Sequence, residues 1–239
     1  MSAIAVPARR PVLADALAPH RTLLRDALLV LAGAAVVAVL AQVTIPLPLV
    51  PITGQTLGVI LVGAALGSRR GAISLATYMA VGLAGAPVFA EFSGGPAMVL
   101  SPSFGFVLGF IPAAFVAGWF AERAWDRRPV LAMTGFVAAS VVPFLVGVPY
   151  LAMILNAVLG AGADLGAVLA AGLWPFIPGG LVKAALAALL IPAAWKGVRA
   201  LDERRIAWAA GDIIENRPAL SRWHPDFAEA FSAFARGKD

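Results

Sequence analysis

The chain has 239 residues, 61% hydrophobic and 13% charged, with a mean hydropathy of +0.89. That composition, in long uncharged runs, excludes an ordinary soluble domain and places the chain in a membrane. The formal charge of +5 sits in short stretches between apolar runs, so membrane topology explains it and no nucleic-acid partner is expected. The absence of cysteine excludes disulfides, thiolate metal sites and a cysteine nucleophile.

Met1–His20 carries Pro7, Pro11 and Pro19 and no apolar core followed by a cleavage site, so residues 1–25 read as a cytoplasmic tail rather than a signal peptide. Six apolar segments follow, at 26–45, 55–68, 71–87, 103–121, 130–153 and 177–195. A span takes about 20 apolar residues. The second and third segments are short, which calls for tilt, partial re-entry or a locally thin bilayer. The expected fold is therefore an all-α bundle of six transmembrane helices over 26–195. Residues 196–239 form a charged, partly helical tail with no recognisable motif.

Every lysine and arginine except Lys183 flanks alternate connections: the N-terminus, Arg69–Arg70, Arg123–Arg128, and the stretch after Lys196. The connections 46–54, 88–102 and 154–176 carry only Glu91 and Asp164. The positive-inside rule then puts both termini in the cytoplasm of a multi-pass plasma-membrane protein, with these three loops outside. The loops are apolar and rich in Pro, Gly and aromatics, so they are expected to fold back as a lid over an outward pocket; interfacial anchoring of Phe89, Phe92 and Trp174 is the plainer use. Asp164 is placed to cap a short helix within the third. In the first apolar segment, Ala34 and Ala38 form a small-xxx-small pair, which suits either packing inside the bundle or docking against another membrane subunit.

No Walker A pattern, H-E-x-x-H or G-x-S-x-G occurs, and no pair of intramembrane carboxylates exists. His20 and His224 both lie in the flanks. The sequence thus reads as neither an enzyme nor a self-powered pump, and it calls for no cofactor or metal. What remains is one cation. An ammonium in an apolar span costs at least ~2.5 kcal/mol and marks a site by default, the alternative being a lysine that snorkels to the headgroups. With Pro178 as the expected helix start, Lys183 lies one to two turns in, beside Gly179 and Gly180. Thr53, Gln55, Ser101, Ser103, Tyr150 and Asn156 offer neutral hydrogen bonds to the same ligand. Each also has a bland use: Thr53 and Ser103 as helix caps, Tyr150 as an interface aromatic, Asn156 in a turn.

Five ordered blocks resemble the BioY family, the biotin-binding S components of energy-coupling-factor transporters. Val50-Pro51-Ile52-Thr53-Gly54-Gln55-Thr56-Leu57 resembles V-P-x-T-x-Q-T-L. Tyr78, Gly82 and Gly85–Ala90, which includes Phe89, resemble Y-x-x-x-G-x-x-G-x-P-V-F-A. Gly94-Gly95 with Ser101–Phe110 is similar to G-G … G-P-T-x-G-Y-x-x-G-F. Gly147–Leu151 resembles G-V-x-W-L, and Pro175–Ala184 resembles P-F-x-P-G-D-x-x-K-A. The resemblance covers about residues 28–195. It implies a biotin pocket under the first and third outer loops that includes Lys183, with Tyr78, Phe89 and the position of Gly180 among its motif residues. It also implies a transmembrane coupling subunit and cytosolic ATP-binding-cassette ATPases as partners, with Ala34 and Ala38 mediating docking. The chain departs from the pattern at Gly180, where the family carries Asp, and at Ser101, Ser103 and Phe106. An S component for another vitamin and a stand-alone membrane facilitator are the alternative functions.

Overall fold

The computed structural model describes residues 11–17 and 22–215, with side chains to residue 203. Most of the N-terminal tail and the end of the C-terminal tail lie outside the described residues. The chain divides into two compact units, Met1–Trp195 and Lys196–Asp239. The bundle and its cavity belong wholly to the first.

The elements run in order α1 (Leu13–Leu17), α2 (Leu23–Ala41), β1 (Thr44–Ile45), β2 (Ile52–Thr53), α3 (Gln55–Leu66), α4 (Ser68–Leu83), α5 (Phe104–Ala121), α6 (Pro129–Met153), α7 (Leu165–Gly172) and α8 (Phe176–Glu215). Four stretches are long and apolar enough to cross a membrane: Leu23–Ala41, Phe104–Ala121, Pro129–Val158 and Leu165–Glu203. With the shorter α3 and α4, six principal helices build the bundle, and the protein is a multi-pass membrane protein. The predicted shortness of the second and third segments is real: α3 has 12 residues and α4 has 16.

Thr22 starts α2, its hydroxyl accepting the Arg25 N–H at 3.1 Å. Gly33, Val37 and Ala41 face inward, while Leu24, Leu28, Leu31 and Val39 are exposed. An apolar exposed face of this kind is what lipid or another membrane subunit covers. The single residue Gly67 joins α3 to α4 at φ 86°, a left-handed value that glycine enters without a Cβ clash. Gly118 of α5 backs onto this turn so closely that a Cβ there would lie 2.3 Å from Gly67 and Ser68 backbone atoms. Close approach makes α5 the central helix, and it buries Phe104, Phe106, Phe110, Ala113, Ala114 and Ala117.

Prolines punctuate the longer helices. α6 contains Pro143 and Pro149, then widens into a π turn at Ile154–Val158. Asp164 caps α7 as expected, its carboxylate accepting the Ala167 N–H at 2.7 Å. The last helix begins at Phe176, two residues before Pro178, because proline is tolerated anywhere in a first turn whose N–H groups have no intrahelical acceptor.

At the end of the bundle that carries the basic flanks, Asp15 and Asp26 pair with Arg25 and Arg70, with the shortest contact, Arg70 to Asp15, at 2.7 Å. Nearby, Asp126 is buried and accepts the Trp195 indole N–H at 2.6 Å, with the Arg127 guanidinium 4.2 Å over the Trp195 ring. Burial pushes the Asp126 carboxyl up to about 6, against the opposing pull of Trp195 and Arg127.

Candidate functional site

At the opposite end, the loops enclose a cavity of about 280 Å³. Its first wall is the hairpin β1–β2, antiparallel with Thr44 opposite Thr53 and Ile45 opposite Ile52. Pro46, Pro48 and Pro51 keep the hairpin's six-residue tip out of helix, and its Leu47, Leu49, Val50 and Pro51 line the cavity. The second wall is the segment 89–103. Three phenylalanines from different helices make the apolar side: Phe106 of α5 lies 6.2 Å from Phe176 of α8 and 5.8 Å from Phe144 of α6, centroid to centroid. Such rings bury much area and suit a flat or aliphatic ligand.

The Lys183 side chain reaches the end of the β1–β2 hairpin and the first turn of α3. Its Nζ donates to the Thr53 carbonyl at 2.5 Å and to the Thr56 hydroxyl at 3.0 Å. Among the described residues no carboxylate lies within ion-pair distance of it. From Thr53 a chain of buried polar groups crosses the bundle. The Thr53 hydroxyl donates to Gln55 Oε1 at 2.8 Å, and Gln55 Nε2 donates to the Tyr78 hydroxyl at 2.6 Å. The Tyr78 hydroxyl in turn donates to the Val88 carbonyl at 3.1 Å. Buried polar groups demand partners, and every link here has one.

Of the residues singled out in the sequence, Lys183, Thr53, Gln55, Phe89, Ser101, Ser103 and Gly180 line the cavity. Thr53 also takes the Gln55 N–H at 3.3 Å, but the N-cap of α3 is Gly54, so the capping use expected of Thr53 is not the one it serves. Ser103 stands at the start of α5 without capping it; its hydroxyl lies 2.9 Å from that of Ser101. Three residues do not line the cavity. Tyr78 is 1% exposed inside the core, behind Gln55. Tyr150 packs its Cβ against Gly105 and spends its hydroxyl on the Val99 carbonyl. Asn156 is exposed in the π turn and donates to the Ala163 carbonyl at 3.1 Å, the turn use foreseen for it. Ala34 and Ala38 are half-buried against the bundle core, whereas Ala35 faces outward.

Sequence reasoning missed most of the apolar lining, and with it Thr56, Ser140, Phe144 and Phe176. Thr56 lies inside the first block and shares Lys183. Ser140 is a lone hydroxyl in apolar α6, a signal that was available, although it back-bonds to the Phe136 carbonyl at 2.8 Å. Phe144 carries no pattern that separates a cavity wall from a core, and Phe176, although inside the fifth block, was not picked out as a wall residue.

Residues 12–200 match the model of the BioY family. The chain belongs to the BioY family. Among its relatives, the biotin transporter BioY of Rhizobium etli is 39% identical over 163 residues, which is 65% of this chain and 83% of that one. The probable biotin transporter BioY of Lysinibacillus sphaericus is 41% identical over 123 residues, covering 52% of this chain and 62% of that one. The crystal structure of the S-component for biotin from an ECF-type ABC transporter matches with a TM-score of 0.57 at 25% identity, over 74% of this chain and 95% of that one. The whole cavity, from Leu47 to Lys183, lies within the BioY match. At Gly180, where the resemblance leads one to expect Asp, a Cβ meets nothing within 4 Å.

Proposed function

We propose that this chain is the substrate-binding membrane subunit of a biotin uptake system, with both termini in the cytoplasm and the cavity open to the outside. The observation that carries the reading is the placement of Lys183: one ammonium held by Thr53 and Thr56 in the wall of an aromatic-sided cavity whose other charged lining residue, Glu91, belongs to the second wall. Biotin is an anion with an apolar tail and a flat, polar ureido ring. In this reading Lys183 meets the carboxylate or the ureido carbonyl, Phe106, Phe144 and Phe176 enclose the apolar part, and the hydroxyls of Ser101 and Ser103 meet the remaining polar edge. The first and second outer loops, rather than the first and third, close over the vitamin, since the third gives the lining only Phe176. Enclosure with few, preorganised polar contacts is the route to tight binding of a small ligand.

The chain carries no Walker A motif, so release to the cytoplasm falls to a transmembrane coupling subunit and two cytosolic ATP-binding-cassette ATPases. The exposed face of α2 beside the half-buried Ala34 and Ala38 is the docking region for the coupling subunit. Equilibrium binding of labelled biotin, riboflavin and thiamine to the purified protein tests the substrate. Nanomolar biotin binding is expected; binding of another vitamin in place of biotin overturns the substrate assignment. Copurification of the coupling subunit and ATPases distinguishes an S component from a stand-alone facilitator.

A further inference from the structure

Two consecutive residues in the cavity's second wall hold left-handed backbone angles: Glu91 at φ 57° and Phe92 at φ 54°. Side chains with a Cβ enter that region reluctantly, and such conformations persist where the surroundings over-determine them. Three anchors do so here. The Phe89 ring is sunk in the core, edge-on to Tyr78 at 5.3 Å and against Gly82. Ser93 closes the turn locally: its N–H and hydroxyl both donate to the Ala90 carbonyl, and its own carbonyl accepts the Phe89 N–H at 3.0 Å. The third anchor comes from a distant element.

Gln42, the residue that ends α2, places its carboxamide on both sides of the strained pair. Nε2 donates to the Phe89 carbonyl at 3.1 Å and to the Ala38 carbonyl at 3.0 Å, while Oε1 accepts the Phe92 N–H at 3.0 Å. Both ends of the amide are thus engaged. Ala90, Glu91 and Ser93, the residues between and beside these grips, line the cavity, but Gln42 itself does not. Beyond Phe89 the turn buries little: Phe92 is 71% exposed. Apolar packing therefore does not hold residues 90–92 in place.

We propose that Gln42 is the positioning residue of this wall: by gripping the Phe89 carbonyl and the Phe92 amide it keeps the turn closed over the cavity and sets the rate at which a bound ligand escapes. The ligand part of this inference rests on the biotin reading above. The turn closes because the latch offsets the left-handed strain, so removing the strain reduces the need for the latch.

The test uses the full-length purified chain and four variants: Gln42→Ala, Gln42→Glu, Glu91→Gly and the Gln42→Ala/Glu91→Gly double. The first readout, in ligand-free protein, is hydrogen–deuterium exchange of the amides in residues 89–93. Faster exchange in Gln42→Ala, with the rest of the bundle unchanged, is expected; unchanged exchange overturns the latch whatever the protein binds. The second readout is the dissociation rate of labelled biotin. Gln42→Ala should release biotin about tenfold faster, the loss of one or two ordinary hydrogen bonds. Gln42→Glu should fall between, since it keeps an acceptor for Phe92 and loses the donor to Phe89. Glycine enters the left-handed region freely, so Gln42→Ala should cost less in the Glu91→Gly background. An equal cost in both backgrounds, or an unchanged dissociation rate, contradicts the proposal. Absence of biotin binding in the unaltered chain contradicts the biotin reading, while the exchange data still decide the latch.

Discussion

Gln55 donates its side-chain amide to the Tyr78 hydroxyl at 2.6 Å, across the contact between α3 and α4. The two residues are 5% and 1% exposed, so water cannot replace either partner. Through this bond the hairpin and Lys183 on one side are tied to the Val88 carbonyl and the second wall on the other. Tyr78 therefore serves the cavity from behind, as a brace.

Tyr78→Phe keeps the ring that packs on Phe89 and removes only the hydroxyl. Gln55 Nε2 and the Val88 carbonyl are then left without a partner in the core, which costs about 1–3 kcal/mol. Thermal unfolding in detergent should register that loss, and biotin affinity should fall with it as the second wall loosens. A variant as stable as the parent contradicts the bracing role.

Gly82 and Gly180 should respond oppositely to alanine. A Cβ on Gly82 would lie 2.2 Å from the Phe89 ring, whereas one on Gly180 meets nothing within 4 Å. Gly82→Ala is expected to displace Phe89 and destabilise by about 1–3 kcal/mol, the usual cost of overpacking. Gly180→Ala should be as stable as the parent or more so, since alanine is the better helix former by about 1 kcal/mol. Unfolding curves for the two variants check the contrast.

Much of this was legible in the sequence. Hydropathy located the six helices because the bilayer fixes span length, and the basic flanks marked one end of the bundle. Lys183, Thr53 and Gln55 stood out because polar groups in apolar surroundings need a reason. Tyr78 was named through its motif, but its place behind the wall was not legible: a buried hydroxyl looks the same in sequence whether it meets a ligand or a carbonyl. Phe144 was hidden because cavity walls and cores use the same residues, and for the same reason the motif that holds Phe176 did not show it as a wall. Gln42 was hidden because its partners, Phe89 and Phe92, lie 47 and 50 residues away.

The face of α2 separates two uses of its small residues. Ala35 is exposed and Ala38 is half-buried against the core. Ala35→Trp should leave biotin binding intact and block uptake by cells that supply the coupling module, because it keeps another helix away. Ala38→Trp should lower both, because it also disturbs the bundle. Unimpaired uptake in Ala35→Trp contradicts docking on this face.

Asp126 gives the end opposite the cavity a pH dependence. Its carboxyl, raised to about 6 in the folded protein, binds a proton more tightly there than in the unfolded chain. Its contribution to stability is thus complete below about pH 4 and is lost as pH rises through about 6. Asp126→Asn stays neutral and still accepts the Trp195 N–H. Between pH 4 and 7 (the window set by these values, roughly) the parent should lose on the order of 1–3 kcal/mol relative to this variant. Parallel stability profiles contradict the assignment.

The central claim is that Lys183 holds the ligand, and biotin affinity of Lys183→Met, with folding checked by thermal unfolding, tests it most directly. Methionine keeps the length and removes the charge. A ligand group left without its ammonium in a desolvated cavity should lose about 2–5 kcal/mol of binding, roughly 30-fold to a few thousand-fold in Kd. Lys183→Arg should rescue poorly, since a planar fork does not replace a compact ammonium seated on Thr53 and Thr56. A folded Lys183→Met variant that binds biotin as tightly as the parent contradicts the account.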